Sequence, residues 1–131
     1  MEYLLDRYVE AYTKANLEAA EDMFPPFYIE YSKGNLTQEY LEKGRDEAKE
    51  KYGDDFTITY KIEKTTKLTD EELDKLNEKM EKYYKAKEKA SECYKEEINL
   101  TFKGSKKEDS NSVSTMGYCN YNGMWYIVGL Y

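Results

Sequence analysis

The chain has 131 residues, enough for one domain whose folding buries roughly two thirds of the surface an unfolded chain exposes. Charged residues make up 36% and mean hydropathy is −0.98, values shared with disordered chains, but an aromatic content of 15%, with 15 Tyr, belongs to chains that fold. A formal charge of −7 repels phosphate backbones and anionic headgroups, which excludes nucleic acid as a partner, and no run of about 18 apolar residues is present to insert directly into a membrane.

From Glu2 to Phe24, the residues Leu5, Tyr8, Val9, Tyr12, Ala19 and Met23 fall mostly at helical spacing opposite Glu10, Lys14, Glu18 and Glu21. This predicts one amphipathic helix of about six turns. Pro25 and Pro26 stop it, because proline lacks an amide hydrogen and disfavours helix in the residue before it. Phe27 to Tyr31 is expected to be a short aromatic stretch leading to Gly34. Thr37 is a good N-cap for a second helix to about Tyr52, with Tyr40, Leu41, Gly44 and Ala48 inward and Gly53 as its stop.

Phe56 to Ile62 alternates strictly, so Phe56, Ile58, Tyr60 and Ile62 face a core while Thr57, Thr59 and Lys61 face outward. Thr69 with Glu72 makes a capping-box pattern, and Leu73, Leu76, Met80 and Tyr83 mark an apolar stripe on a third helix ending near Ala90. Tyr94, Ile98, Leu100 and Phe102 then fall in period two, Lys103 to Asn111 is polar, and Ser112 to Tyr121 is a second β run. Together they predict a hairpin with a long charged loop. Asn122-Gly123 is a two-residue hairpin signal leading into a last strand, Met124 to Tyr131. With no repeat or linker, residues 1–131 form a single α+β domain: N-terminal helices, then strand, helix and three strands, giving a four-stranded antiparallel sheet packed on helices.

The chain contains no histidine, which removes the commonest general base, the commonest metal ligand and every Ser-His or Cys-His nucleophile. Asp70, Glu71 and Glu72 sit where a helix macrodipole favours negative charge, and Asp54-Asp55 lacks the spaced ligands of a calcium loop. Gly117, Gly123 and Gly129 are too scattered for a phosphate loop, so neither metal nor cofactor is expected. Asn35-Leu36-Thr37 and Asn99-Leu100-Thr101 match a glycosylation pattern that is too short to be specific. The two cysteines are more informative. A hairpin centred near Lys106 sets Cys93 opposite Cys119 and, on the other face, Tyr94 opposite Tyr118. The pair is then either a disulfide, which belongs in an oxidising compartment, or two buried thiols.

The element order and the segments Met23-Phe-Pro-Pro-Phe27, Tyr52-Gly-Asp-Asp-Phe56, Leu68-Thr-Asp-Glu-Glu-Leu73 and Asn122-Gly-Met-Trp-Tyr126 resemble small extracytoplasmic domains of Gram-positive bacteria with a cystatin-like, or nuclear transport factor 2-like, fold. The resemblance implies a curved sheet wrapped on helices around a cone-shaped cavity. It also implies an extracytoplasmic address, secreted or membrane-anchored, with a lipoprotein-type signal or anchor ahead of Met1. No catalytic motif carries over. The expected function is a non-catalytic binding or sensing module for a small molecule, peptide or partner protein at the open mouth of the sheet, with a dimer through the sheet face also open. The candidate lining is Tyr8, Tyr12, Phe27, Tyr60, Tyr94, Tyr118 and Trp125. The alternative is a cone-cavity isomerase or hydrolase built on a buried carboxylate. Glu96, on the strand parity of Tyr94 and Ile98, is its candidate.

Overall fold

The structure, a computed structural model, describes residues 2–32 and 34–128. Among them the order is α1 (Glu2–Lys14), α2 (Leu17–Met23), α3 (Pro26–Tyr31), α4 (Gln38–Tyr52), β1 (Thr57–Lys67), α5 (Asp70–Tyr84), β2 (Glu92–Lys103), β3 (Glu108–Tyr121) and β4 (Met124–Val128). The strands form one antiparallel sheet in the order β1-β2-β3-β4. The α+β class and the four-stranded sheet are those expected from the sequence.

The N-terminal segment departs from the single helix expected. Ala15 takes a positive φ of 52°, and Asn16 caps a new helix, its Oδ1 accepting from the Ala19 amide at 3.1 Å. The break folds α2 back onto α1, where Ala11, Ala15, Ala19 and Ala20 allow a close approach around Met23 and Leu41. Pro26 does more than end a helix: it is the first residue of α3, where its missing N–H costs nothing and its fixed φ suits the turn. Phe27–Tyr31 is therefore helical.

Thr37 Oγ1 accepts from the Tyr40 amide at 3.1 Å and starts α4, and Gly53 ends it at φ 119°. Leu41, Ala48 and Tyr52 form its inward stripe. Tyr40 and Gly44 lie off that stripe and are exposed, contrary to the expected spacing. On α5 both halves of the capping box are present, but the helix stops at Tyr84 because Lys85 turns left-handed at φ 57°, well short of Ala90. That early stop leaves Tyr83 in solvent instead of inward, with Tyr84 half-buried in its place.

A bulge between Ile62 and Lys64 lets β1 run on to Lys67. The β2–β3 connection is tighter than the loop expected, since β3 begins at Glu108. The turn is locked to the end of α4: the Lys106 amide donates to the Tyr52 carbonyl at 2.8 Å, and a Cβ on Gly104 would collide with that same carbonyl. Asn122 and Gly123 both take positive φ, 54° and 85°, as a two-residue hairpin requires. Residues 129–131 of the expected last strand lie outside the described residues.

Strand alternation divides the packing. On one face Ile58, Ile98, Leu100 and Tyr118 meet Leu4 and Leu5 of α1. On the other, Cys93, Cys119 and Val128 meet Leu76 and Met80 of α5. The remainder of this second face carries exposed Thr57, Thr59, Lys61 and Glu97. Among the described residues no helix is long and apolar enough to cross a membrane.

Candidate functional site

Most of the aromatic residues singled out from the sequence come together under α1, and they come together as packing. Tyr8, Tyr12, Tyr60 and Trp125 are half-buried against the α1 core, and Tyr118 is completely buried within it. The Tyr8 and Tyr12 rings lie 4.7 Å apart, Tyr94 and Trp125 lie 5.8 Å apart, and the Tyr60 hydroxyl donates to Asp6 at 3.0 Å. Burial raises the Tyr8 hydroxyl above its ordinary range and pushes Tyr12 up to about 12.

Glu96 is 5% exposed, facing the same way as Ile98 and Leu100, as strand parity expects. Its carboxylate accepts from Thr65 Oγ1 at 2.8 Å. The Tyr118 hydroxyl donates to Met116 Sδ at 3.9 Å, and burial, followed by the nearby Glu96 charge, raises the Tyr118 pKa well above its ordinary value. Glu96 is thus a hydrogen-bonded buried carboxylate in the core, and it lines none of the clefts described below.

Cys93 and Cys119 are directly opposed in the β2–β3 register, both buried, and joined by a disulfide. They pack with Leu76 and Met80 of α5, and Tyr121 and Tyr126 of the adjoining β3–β4 hairpin border a concavity.

That concavity is a cleft of about 870 Å³ built by three elements. From α3 come Phe27 and Tyr31, behind the rigid Pro25-Pro26 entry. The last turn of α5 and its left-handed exit contribute Tyr83, Tyr84 and Lys85. The β3–β4 hairpin supplies Tyr121, Met124 and Tyr126. The rings interlock: Phe27 meets Tyr121 edge-on at 5.4 Å, Tyr31 meets Tyr84 edge-on at 4.8 Å, and Tyr121 and Tyr126 lie 6.3 Å apart. Pairs of this geometry add about 0.5 to 1.5 kcal/mol beyond their buried area, which holds the walls in place.

Two observations set this cleft apart. Tyr31, Tyr83 and Met124 are 62%, 57% and 56% exposed, so large apolar side chains that folding did not bury gather on one rim. The floor residue Tyr121 is 3% exposed, and its hydroxyl has no hydrogen-bond partner among the described residues. Burial pushes that hydroxyl up to about 12. A second, narrower cavity of about 300 Å³ adjoins the first and shares Pro25, Phe27 and Tyr84 with it.

Of the residues chosen from the sequence, Phe27 alone lines the outer cleft. Tyr31, Tyr83, Tyr84, Tyr121 and Tyr126 were missed. Their available signals were the Tyr83-Tyr84 pair before a helix stop and the aromatic residues flanking Pro25-Pro26. Among the described residues no group of three or more Cys, Asp or Glu is arranged to hold a metal ion. Comparison with protein-family models, with curated proteins and with solved structures returns no match.

Proposed function

We propose that the chain is a non-catalytic extracytoplasmic binding or sensing module of cystatin-like or nuclear transport factor 2-like kind, taking a small molecule, peptide or partner protein in the aromatic cleft. The observation that carries this is the gathering of exposed Tyr31, Tyr83 and Met124 around a concavity whose floor holds an unpartnered buried hydroxyl. Folded domains do not cluster large apolar side chains in solvent without reason, and a concave aromatic surface with a few polar groups is the usual form of a ligand site. The site thereby moves from the mouth of the sheet to its disulfide end.

The Cys93–Cys119 bond supports the extracytoplasmic address, since such bonds persist in oxidising compartments. A dimer through the sheet would have to use exposed Thr57, Thr59, Lys61 and Glu97, which offer little apolar area. The enzyme alternative has the burial of Glu96 in its favour, but that carboxylate is held by Thr65 and lines none of the clefts described above.

The test is a fragment screen by NMR on isotope-labelled protein. Hits are expected to perturb the amides of Phe27, Tyr84, Tyr121 and Tyr126 together. Hits gathered around Glu96, or spread without pattern over the surface, would sink the proposal.

A further inference from the structure

We infer that the outer cleft and the inner cavity take one ligand, a single-chain amphiphile with an uncharged polar head, the chain lodging inside and the head lying against the outer rings. This rests on the binding function proposed above and names its ligand class.

The two spaces adjoin: Phe27 and Tyr84, whose rings are 6.4 Å apart, line both, together with Pro25. The inner wall is apolar where a chain would lie, with Phe24, Met80, Met116, Ile127 and Val128, and Lys79 on that wall is itself engaged. Methionine is unbranched and adapts its shape, so Met80 and Met116 suit a flexible chain. The outer rim carries Lys85 and Lys87 against Glu30 and Glu88, two charges of each sign, and exerts no net pull on a charged head. Phe27 is half-buried and stands edge-on against Tyr121. A rotation of Phe27 that admits a chain also opens its edge-on contact with Tyr121, the residue whose buried hydroxyl lacks a partner, and the head supplies that hydroxyl with an acceptor.

The experiment is a calorimetric titration with n-alkyl glucosides from butyl to nonyl, each below its micelle concentration. Affinity should rise about fourfold per added methylene, as for a chain leaving water. Thr115 is an exposed strand residue on the inner wall, where an aromatic side chain suits the strand, so Thr115→Trp should fold and abolish the dependence on chain length. Tyr31→Ala should weaken every member by one common factor and leave the slope intact. A slope that survives Thr115→Trp overturns the inference, and so does an absence of binding by every member. A flat series whose binding is lost in Tyr31→Ala also overturns it, yet sustains the cleft as a binding site, so the two failures are distinguishable.

Discussion

Under α1, the rings of Tyr8, Tyr12, Tyr60 and Tyr118 fill space beside Leu4, Leu5, Ile98 and Leu100, whereas on the opposite face Phe27, Tyr84, Tyr121 and Tyr126 surround space. The composition of the two groups is nearly the same. What differs is the helix that covers each. The helix α1 is 13 residues long and lays Leu4 and Leu5 fully into the sheet. The helix α3 has 6 residues, none of them buried, and α5 is stopped by Lys85 at the edge of the cleft. An aromatic side chain becomes core or cleft wall according to whether a covering element is long enough to reach it.

The largest effect should separate the two sides. Leu100 is 3% exposed at the centre of the α1 side, so Leu100→Ala should cost about 2 to 5 kcal/mol in denaturant melts through lost burial and a residual cavity. A loss under about 0.5 kcal/mol would show that α1 does not cover the principal core.

On the cleft side the corresponding support is covalent. Cys93 and Cys119 are 26 residues apart, and opening that loop should cost about 3 kcal/mol on the chain-entropy account. Replacing both by Ala should lower the melting temperature on the order of 10 °C. Mass spectrometry of protein exported to an oxidising compartment tests the bond itself. Two free thiols there would remove both the bond and its support for life outside the cytoplasm.

A matched pair of substitutions sharpens the contrast further. The Tyr118 hydroxyl donates to Met116 Sδ beside the Glu96 charge, so Tyr118→Phe should cost about 0.5 to 1.5 kcal/mol by removing a buried hydrogen bond. The Tyr121 hydroxyl serves nothing among the described residues, so Tyr121→Phe should be neutral or stabilising by up to about 1 kcal/mol. The sign of the pH dependence follows. Both hydroxyls are held protonated by burial, above the ordinary value of 10.0, so the stability they contribute is whole below that pH. As pH rises it is lost, for Tyr121 on passing through about 12, and Tyr121→Phe should blunt that alkaline loss. Equal destabilisation by the two substitutions would erase the distinction between filled core and open cleft.

The strand pairing and the ends of the helices were legible because their signals are local. Period two along β2 and a hairpin centred near Lys106 fix the pairing of Cys93 with Cys119 and of Tyr94 with Tyr118, and the same parity turns Glu96 inward. Thr37, Gly53, Thr69 and Asn122-Gly123 act through their own backbone neighbours, so each end they mark can be read from a few residues. The cleft was not legible for the opposite reason. Tyr31, Tyr84 and Tyr121 belong to three separated elements, and nothing in their local spacing brings them together. Tyr83 misled because it lies three residues after Met80 and extends a genuine stripe. Only the left-handed turn at Lys85, one residue past the end of the helix, leaves it without a neighbour to cover it. The break at Ala15 was hidden for a related reason: alanine favours helix and gives no warning of a positive φ, which the Asn16 cap and the packing of α2 on α1 impose.

The smallest effect is the most discriminating for function. Tyr83 is 57% exposed, with the Lys82 ammonium 5.4 Å from its ring centroid as a cation–π contact. A ring so placed contributes little to folding, and Tyr83→Ser should change stability by no more than about 0.5 kcal/mol. Tyr31→Ser should cost up to about 1 kcal/mol, since it also gives up the edge-on contact with Tyr84. Each substitution adds polarity at a solvent-exposed position, so folding alone gives no reason for aromatic side chains at these two positions. If either variant unfolds more than about 2 kcal/mol more easily in denaturant melts, the rim is structural and the cleft is only an incompletely covered part of the core. If both keep the parent stability while the fragments that bind the parent protein no longer shift the amides of Tyr84 and Tyr126, the rim rings are there for the ligand.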